Sequence, residues 1–433
     1  MKKYKSLILL LFILISADLS GETLLSTLDE IAAFGAENNL EYKSGQAALL
    51  RAENNRQSIL LLEKTTIGAT GSYNDSAQSS GEAGGISTWG IKADIEIPVT
   101  EQVSLSGSIN QDGDGSAAIN LKPLSHSDSR EQSLNSYSSA LVSAEAARLN
   151  SESSALNAAL NWMSASREYD TQKRQTELSG ASYLDDKVRF DLGEITFDEL
   201  QDSMVNWSQA RVTLSEKENQ FRSAESNLYS ALGASKGDVS ISSLTVDKLE
   251  SAVDGLQSRL NREEGDFLKS SQLKLAVLSK ESAAAALKNT WAYEPDLTAG
   301  ASLSFDDTGY KGFAATLSFS LSLDNIQATE KEISRYEYEI ASQKELQSRY
   351  EAELNFSQII DTIESTAINR DIANIEYEQA EILLSEAELL FKRGDISEMD
   401  LEESRISLQV SENALFKALA DEYLAWLSLK AYL

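Results

Sequence analysis

Phe190-Asp191-Leu192-Gly193-Glu194-Ile195-Thr196 is matched 201 residues later by Phe391-Lys392-Arg393-Gly394-Asp395-Ile396-Ser397. The correspondence runs on through Leu200 and Leu401, then Ser203 and Ser404. In each copy a glycine interrupts an otherwise helical stretch. An acidic residue follows it, then Thr or Ser, residue types that open a new helix. The reading is a tight turn between two antiparallel helices, made twice. A repeat of this length marks a duplicated unit.

Outward from the two glycines the helix breakers run out. Between His126 and Leu192 only Gly180 interrupts, and between Asn325 and Arg393 there is neither Gly nor Pro. Glycine costs about 1 kcal/mol and proline about 3 kcal/mol inside a helix. Both stretches therefore read as single helices, each reaching roughly 100 Å at about 1.5 Å per residue. After the second turn, Leu415, Leu419, Tyr423, Trp426 and Leu429 form one apolar stripe, extended backwards by Leu401 and Leu408. Before the first turn, Ala140, Ala144, Ala147, Ala155, Ala158 and Ala159 leave room for a close neighbour.

Upstream of each long helix the period changes to two. Ile91, Ala93, Ile95 and Ile97 alternate with Lys92, Asp94 and Glu96. Val103, Leu105 and Ile109 alternate with Ser104, Ser106, Ser108 and Asn110. Ile119 and Leu121 alternate with Asn120 and Lys122, and Thr66–Tyr73 supplies an earlier candidate strand. In the second half, Leu297–Phe305 and Phe313–Leu321 repeat the pattern against Thr, Ser and Gly. All three prolines, Pro98, Pro123 and Pro295, lie in or beside these segments. Strands of this length suit a tilted membrane crossing, and Tyr73, Trp89, Phe305 and Tyr310 stand near strand ends as an aromatic girdle would. The same alternation also describes a half-buried sheet in a soluble protein. Aligning Tyr73 with Phe305 leaves the first half about 30 residues longer here, an expectation of four strands there and two in the second half. So few strands cannot close a barrel, and lipid does not tolerate an open edge, so a membrane reading requires several copies.

The chain opens with Met1-Lys2-Lys3-Tyr4-Lys5, an apolar run over Leu7–Ile15, and then small or polar residues to Gly21. That is the pattern of a secretory signal peptide over residues 1–21, too short to span a bilayer. Cysteine is absent, which excludes disulfides, thiol catalysis and thiolate metal sites. The formal charge is −30; removing Lys2, Lys3, Lys5 and Asp18 with the leader leaves −32. Such acidity excludes a nucleic-acid partner and suits solvated helices or a cation-attracting lumen. The single histidine, His126, has no companion for catalysis or metal binding, so no enzyme and no cofactor are expected.

The whole plan resembles the TolC-like outer-membrane efflux protein family. The resemblance rests on the duplicated helix–hairpin–helix layout and on strand ends such as Ala118–Leu124 that lead into a helix. It rests most on the two glycine turns, where acids stand six and nine places on: Glu199 and Asp202 after Gly193, Asp400 and Glu403 after Gly394. What it implies is a mainly helical protomer with a β-barrel portion. Residues 22–236 and 237–433 form two repeats, with β-hairpins at 66–124 and 296–323 and helical turns near 193 and 394. Three copies share one transmembrane barrel, and their long helices form a tunnel through the periplasm. The implied role is the outer-membrane channel of a tripartite efflux or type I secretion system. Its implied partners are outer-membrane lipid, a periplasmic adaptor and an inner-membrane pump. Asp400, Glu403, Glu199 and Asp202 would line a gated periplasmic aperture, where rings of carboxylates favour cations; as helix-opening acids they would equally favour the helix dipole. The alternative is a periplasmic helical-hairpin adaptor or structural protein of an export complex. The sequence departs from the family where leucine is usual eight places after the glycine, having Gln201 and Glu402, and where a basic latch is usual two places after the second glycine, having Ile396. The extra hairpin would raise a trimer from about 12 strands to about 18.

Overall fold

The structure is a computed structural model. It describes residues 23–58, 66–76, 86–100, 103–110, 114–121, 128–260, 266–290, 295–306, 309–321 and 325–432. Residues 1–21, read above as a signal peptide, and His126 lie outside these residues. Eight helices are described: α1 Leu28–Asn38, α2 Leu40–Ser58, α3 Asp128–Asp191, α4 Phe197–Leu232, α5 Val246–Leu260, α6 Ser271–Asn289, α7 Asn325–Arg393 and α8 Glu398–Leu429. The strands are β1 Thr23–Leu25, β2 Thr66–Ser76, β3 Ile86–Thr100, β4 Val103–Asn110, β5 Gly115–Leu121, β6 Val239–Ile241, β7 Pro295–Asp306 and β8 Gly309–Leu321. The breaker-poor stretches are α3, of 64 residues, and α7, of 69. None of the described helices is long and apolar enough to cross a membrane.

Contacts divide the chain into two units that cut across the sequence repeat. The first holds the described residues up to Gly45 with Ala144–Ser271 and Glu351–Leu433. Its core is a helical bundle. Leu156, Leu160 and Met163 of α3 are buried with Leu228 and Leu232 of α4 and with Phe416, Leu419 and Tyr423 of α8. In α5, Leu249, Val253, Leu256 and Leu260 recur every three or four residues and are all buried, one apolar face laid into this core. β1 and β6 pair in parallel beside it, Thr23 opposite Val239 and Leu25 opposite Ile241. The alanines of α3 act as spacers. A Cβ on Gly35 of α1 would lie 2.3 Å from the Cβ of Ala155, so this helix pair meets nearly backbone to backbone.

The second unit holds Gln46–Ser143 and Gln272–Tyr350. Its centre is one six-stranded sheet in the order β2-β3-β4-β5-β7-β8, antiparallel throughout. Four strands come from the first half of the chain and two from the second. Register fixes the faces, because side chains alternate along a strand. Ser104, Asn120, Gly300 and Thr316 share one cross-strand row; Leu105, Ile119, Ala301 and Ala315 share the next. The described residues do not cover the apolar face: Leu317, Phe319 and Phe313 are 75%, 64% and 61% exposed. At the ends that carry the hairpin turns, Tyr73 stands opposite Trp89 and Phe305 opposite Tyr310. Helices of this unit are tied by Lys280 Nζ donating to Glu345 at 2.6 Å and by the Arg56 guanidinium over the Tyr137 ring at 4.4 Å.

Candidate functional site

The two glycine turns are the same structure made twice. Gly193 and Gly394 take φ of 74° and 79°, a left-handed conformation that costs an L-residue about 1–2 kcal/mol. Each closes a Schellman end. Gly193 N donates to Phe190 O at 2.9 Å and Glu194 N to Arg189 O at 2.8 Å; Gly394 N donates to Phe391 O and Asp395 N to Leu390 O, both at 2.9 Å. The next helix then opens with a capping box. Thr196 N donates to Glu199 Oε2 at 2.7 Å while Glu199 N donates to Thr196 Oγ1 at 3.3 Å. Ser397 N donates to Asp400 Oδ2 at 2.9 Å while Asp400 N donates to Ser397 Oγ at 3.2 Å. The Thr196 backbone and hydroxyl hold the Glu199 carboxyl below its ordinary range, and the Ser397 hydroxyl and backbone do the same for Asp400. Both acids are therefore ionised and engaged in starting helices. That local role belongs to each of them whatever else they do.

All four acids nevertheless meet. Glu199, Asp202, Asp400 and Glu403 line one groove of about 540 Å³ among α3, α4 and α8, and Asp186 joins them. No Lys or Arg lines it. The nearby arginines engage acids of the turns, including Asp186 of the groove itself. Arg393 is paired with Asp395 inside its own turn, and Arg189 reaches Asp186 at 3.2 Å and Glu194 at 3.8 Å. Arg393 is thus neither across the groove nor on Asp400. The chemistry of the groove is a negative field over a concave polar surface, which concentrates cations.

Beside the groove runs a polar seam between α3 and α8 that sequence reasoning did not identify. Arg174 donates to Glu402 at 2.5 Å and to Gln409 at 2.8 Å. Arg167 donates to Glu412 at 3.0 Å and to the Leu244 carbonyl at 2.8 Å, with its guanidinium 4.4 Å from the Phe416 ring centre. Asn413 donates to Thr171 Oγ1 at 2.8 Å between them. The Arg174 guanidinium holds the Glu402 carboxyl below its ordinary value. Glu402 is therefore held as a carboxylate by an arginine across the seam. The available signal was spacing, since Arg167, Thr171 and Arg174 share one face of α3. The α3–α4 seam is different, with Tyr169 stacked on Phe221 and Tyr183 on Trp207 at 5.9 and 5.3 Å. Gly180 faces the Trp207 indole, where a Cβ would come within 3.1 Å of Nε1.

Deeper in the unit, Glu422 of α8 is 1% exposed and meets Arg370 of α7 at 3.2 Å. Burial outweighs the arginine and raises its carboxyl above the ordinary range. No group of acids or histidine among the described residues has the geometry to hold a metal ion.

No protein-family model and no curated protein matches this sequence. Solved structures do match its fold. The CusC structure aligns with a TM-score of 0.64 at 12% identity, covering 94% of this chain and 91% of CusC. The CmeC outer membrane channel of Campylobacter jejuni aligns at 0.61 and 14% identity, covering 94% and 85%. The open MtrE outer membrane channel of Neisseria gonorrhoeae aligns at 0.61 and 13%, covering 94% and 88%. A likeness spanning both the helices and the sheet, at such low identity, is a likeness of architecture. The chain has the fold of the TolC-like outer-membrane channels.

Proposed function

We propose that this chain is one protomer of a trimeric, passive exit duct of the outer membrane. In this reading, residues 1–21 are removed on export and 22–236 and 237–433 are two structural repeats. The sheet contributes staves to a shared barrel, and the long helices line a conduit through the periplasm. Energy comes from an inner-membrane pump through a periplasmic adaptor. The observation that carries the reading is the apolar face of the sheet left uncovered by the described residues, backed by a polar face that is charged mainly on β3. Lipid on one side and a water-filled lumen on the other satisfy both faces. A second support lies on α7, where Ile368, Ile375, Ile382 and Leu389 recur every seven residues and are all exposed. A heptad stripe with no partner among the described residues suits a helix of another copy.

The acidic groove is proposed as the periplasmic entrance. Asp202 and Glu403 supply its field, while Glu199 and Asp400 add charge and hold the turns. Three-fold repetition makes rings of carboxylates, which favour cations. The Arg174–Glu402 and Arg167–Glu412 ties are proposed to hold the two helical hairpins together in the closed entrance. Cell fractionation and particle mass in mild detergent test the assignment. Outer-membrane recovery as a trimer is expected; a soluble periplasmic monomer would end it.

A further inference from the structure

A second groove, of about 800 Å³, lies in the helical unit, toward the opposite end of α8 from the Gly394 turn. It opens where the parallel strands β1 and β6 end. Ser242 N donates to Leu25 O at 3.0 Å there, and the two chains of backbone then turn into α1 and α5. The carboxyl ends of parallel strands are the edge at which ligands bind in larger sheets. The floor of the groove is Leu28, Leu244 and Tyr423, which are 5%, 6% and 4% exposed. Its rim carries exposed charges of both signs: Asp29 on α1, and Asp247, Lys248 and Arg259 on α5. Among the described residues no carboxylate comes within 4.0 Å of Lys248 or Arg259.

Gly255 stands inside α5, although glycine is the poorest interior helix residue after proline. Packing does not require it, since an added Cβ would meet no atom within 4 Å. It faces the groove, which any side chain there would make shallower. The floor holds a second unspent group. A buried tyrosine hydroxyl ordinarily finds a partner. That of Tyr423 has no hydrogen bond among the described residues, and burial pushes it up to about 12. Asp29 pushes it further up and Arg259 pulls it down, so an acid of one wall and a base of the other both act on this floor residue.

We propose that this groove binds a zwitterion with an apolar body, of the size of a di- or tripeptide. Arg259 and Lys248 take its carboxylate, and Asp29 and Asp247 take its ammonium group. Leu28 and Leu244 pack against its side chains, and the Tyr423 hydroxyl meets a peptide group. A rim of one charge sign would select a simple ion; opposite signs over an apolar floor select a molecule that carries both. The volume falls within the range of about 300–1,000 Å³ usual for small-molecule sites. The site stands independently of the duct reading and of the acidic groove.

Trileucine is the probe, titrated calorimetrically into the full-length protein in mild detergent. One saturable site per chain is expected. Trileucine amide and N-acetyl-trileucine each lack one of the two charges and should bind about tenfold more weakly. Lys248→Gln with Arg259→Gln should weaken trileucine about tenfold and leave the amide unchanged. Asp29→Asn with Asp247→Asn should weaken trileucine as much and leave the N-acetyl form unchanged. Gly255 separates binding from folding. Gly255→Ala should raise the melting temperature, because alanine is the better helix former and its Cβ meets nothing, while weakening binding. Gly255→Leu should abolish binding with helix content by circular dichroism unchanged. Tyr423→Phe should weaken binding and leave the melting temperature nearly unchanged. Absence of saturable trileucine binding to the folded protein overturns the proposal. So does equal affinity for the three probes, or full binding by Gly255→Leu.

Discussion

Removing the Arg174–Glu402 contact should loosen the seam between α3 and α8 by a measurable amount. The two groups meet at 2.5 Å, with side chains 42% and 30% exposed. A hydrogen bond to a charged group contributes about 1.5–3 kcal/mol, and an exposed ion pair about 0.2–1 kcal/mol. Partial exposure places this pair between the two, at about 1 kcal/mol. Glu402→Gln keeps the shape and an acceptor, and leaves Arg174 its bond to Gln409 at 2.8 Å. It should cost about 1 kcal/mol. Arg174→Ala removes both bonds and should cost about 1.5–2 kcal/mol, leaving Glu402 with Arg405 at 3.4 Å. The double variant should cost less than the sum by about 1 kcal/mol, the coupling of a direct pair. Urea unfolding followed by circular dichroism reads the stability cycle, and open probability in planar bilayers reads the proposed tie at the entrance. The sign with pH follows from the lowered carboxyl. Glu402 adds stability above its ordinary value of 4.5, and that stability is lost as pH falls through its lower folded value. Additive single-variant losses, with no change in opening, would refute the reasoning.

The remaining predictions concern the turns, the core and the groove. Gly394→Ala and Gly193→Ala should each destabilise by about 1 kcal/mol from backbone strain alone, since no atom lies within 4 Å of the added Cβ; a much larger loss by urea unfolding would point to an unrecognised contact. Gly35→Ala should cost about 1–3 kcal/mol by overpacking against Ala155, and Ala155→Gly should rescue it in a double-mutant cycle. Arg370→Ala strands the buried Glu422 carboxylate and should cost about 3–5 kcal/mol near neutral pH. Because the folded pKa of Glu422 is raised, its contribution to stability is greatest below its unfolded value and is lost as pH rises through the folded one. A thermal melt of the variant should therefore improve on acidification, and Glu422→Gln should remove that dependence. Asp202→Asn with Glu403→Gln should reduce cation preference in planar bilayers while leaving both capping boxes intact; an unchanged reversal potential counts against the groove as the entrance.

The long-range plan was legible because it is written in periods and breakers. A helix free of Gly and Pro over Asn325–Arg393 leaves little choice of conformation, and strict alternation over Phe313–Leu321 leaves little choice of faces. The glycine turns were legible for the same reason, since a left-handed residue followed by Thr or Ser is a local signal. The short elements were not. β1 and β6 are three residues each, too few for a period, and pair across the chain. The seam was hidden by distance, as Arg174 and Glu402 lie 228 residues apart and Arg167 and Glu412 lie 245 apart. Asp400 was legible as an acid at a helix start, but only geometry reveals that its carboxylate is already engaged by Ser397. The field of the groove consequently leans more on Asp202 and Glu403.

The central claim is that the sheet lies in lipid as part of a shared barrel. The most direct measurement is the mass of the particle extracted from the outer-membrane fraction in mild detergent. A mass of three chains of 47.3 kDa, less the leader, is the predicted result. A single chain recovered without detergent from the soluble periplasmic fraction would contradict it.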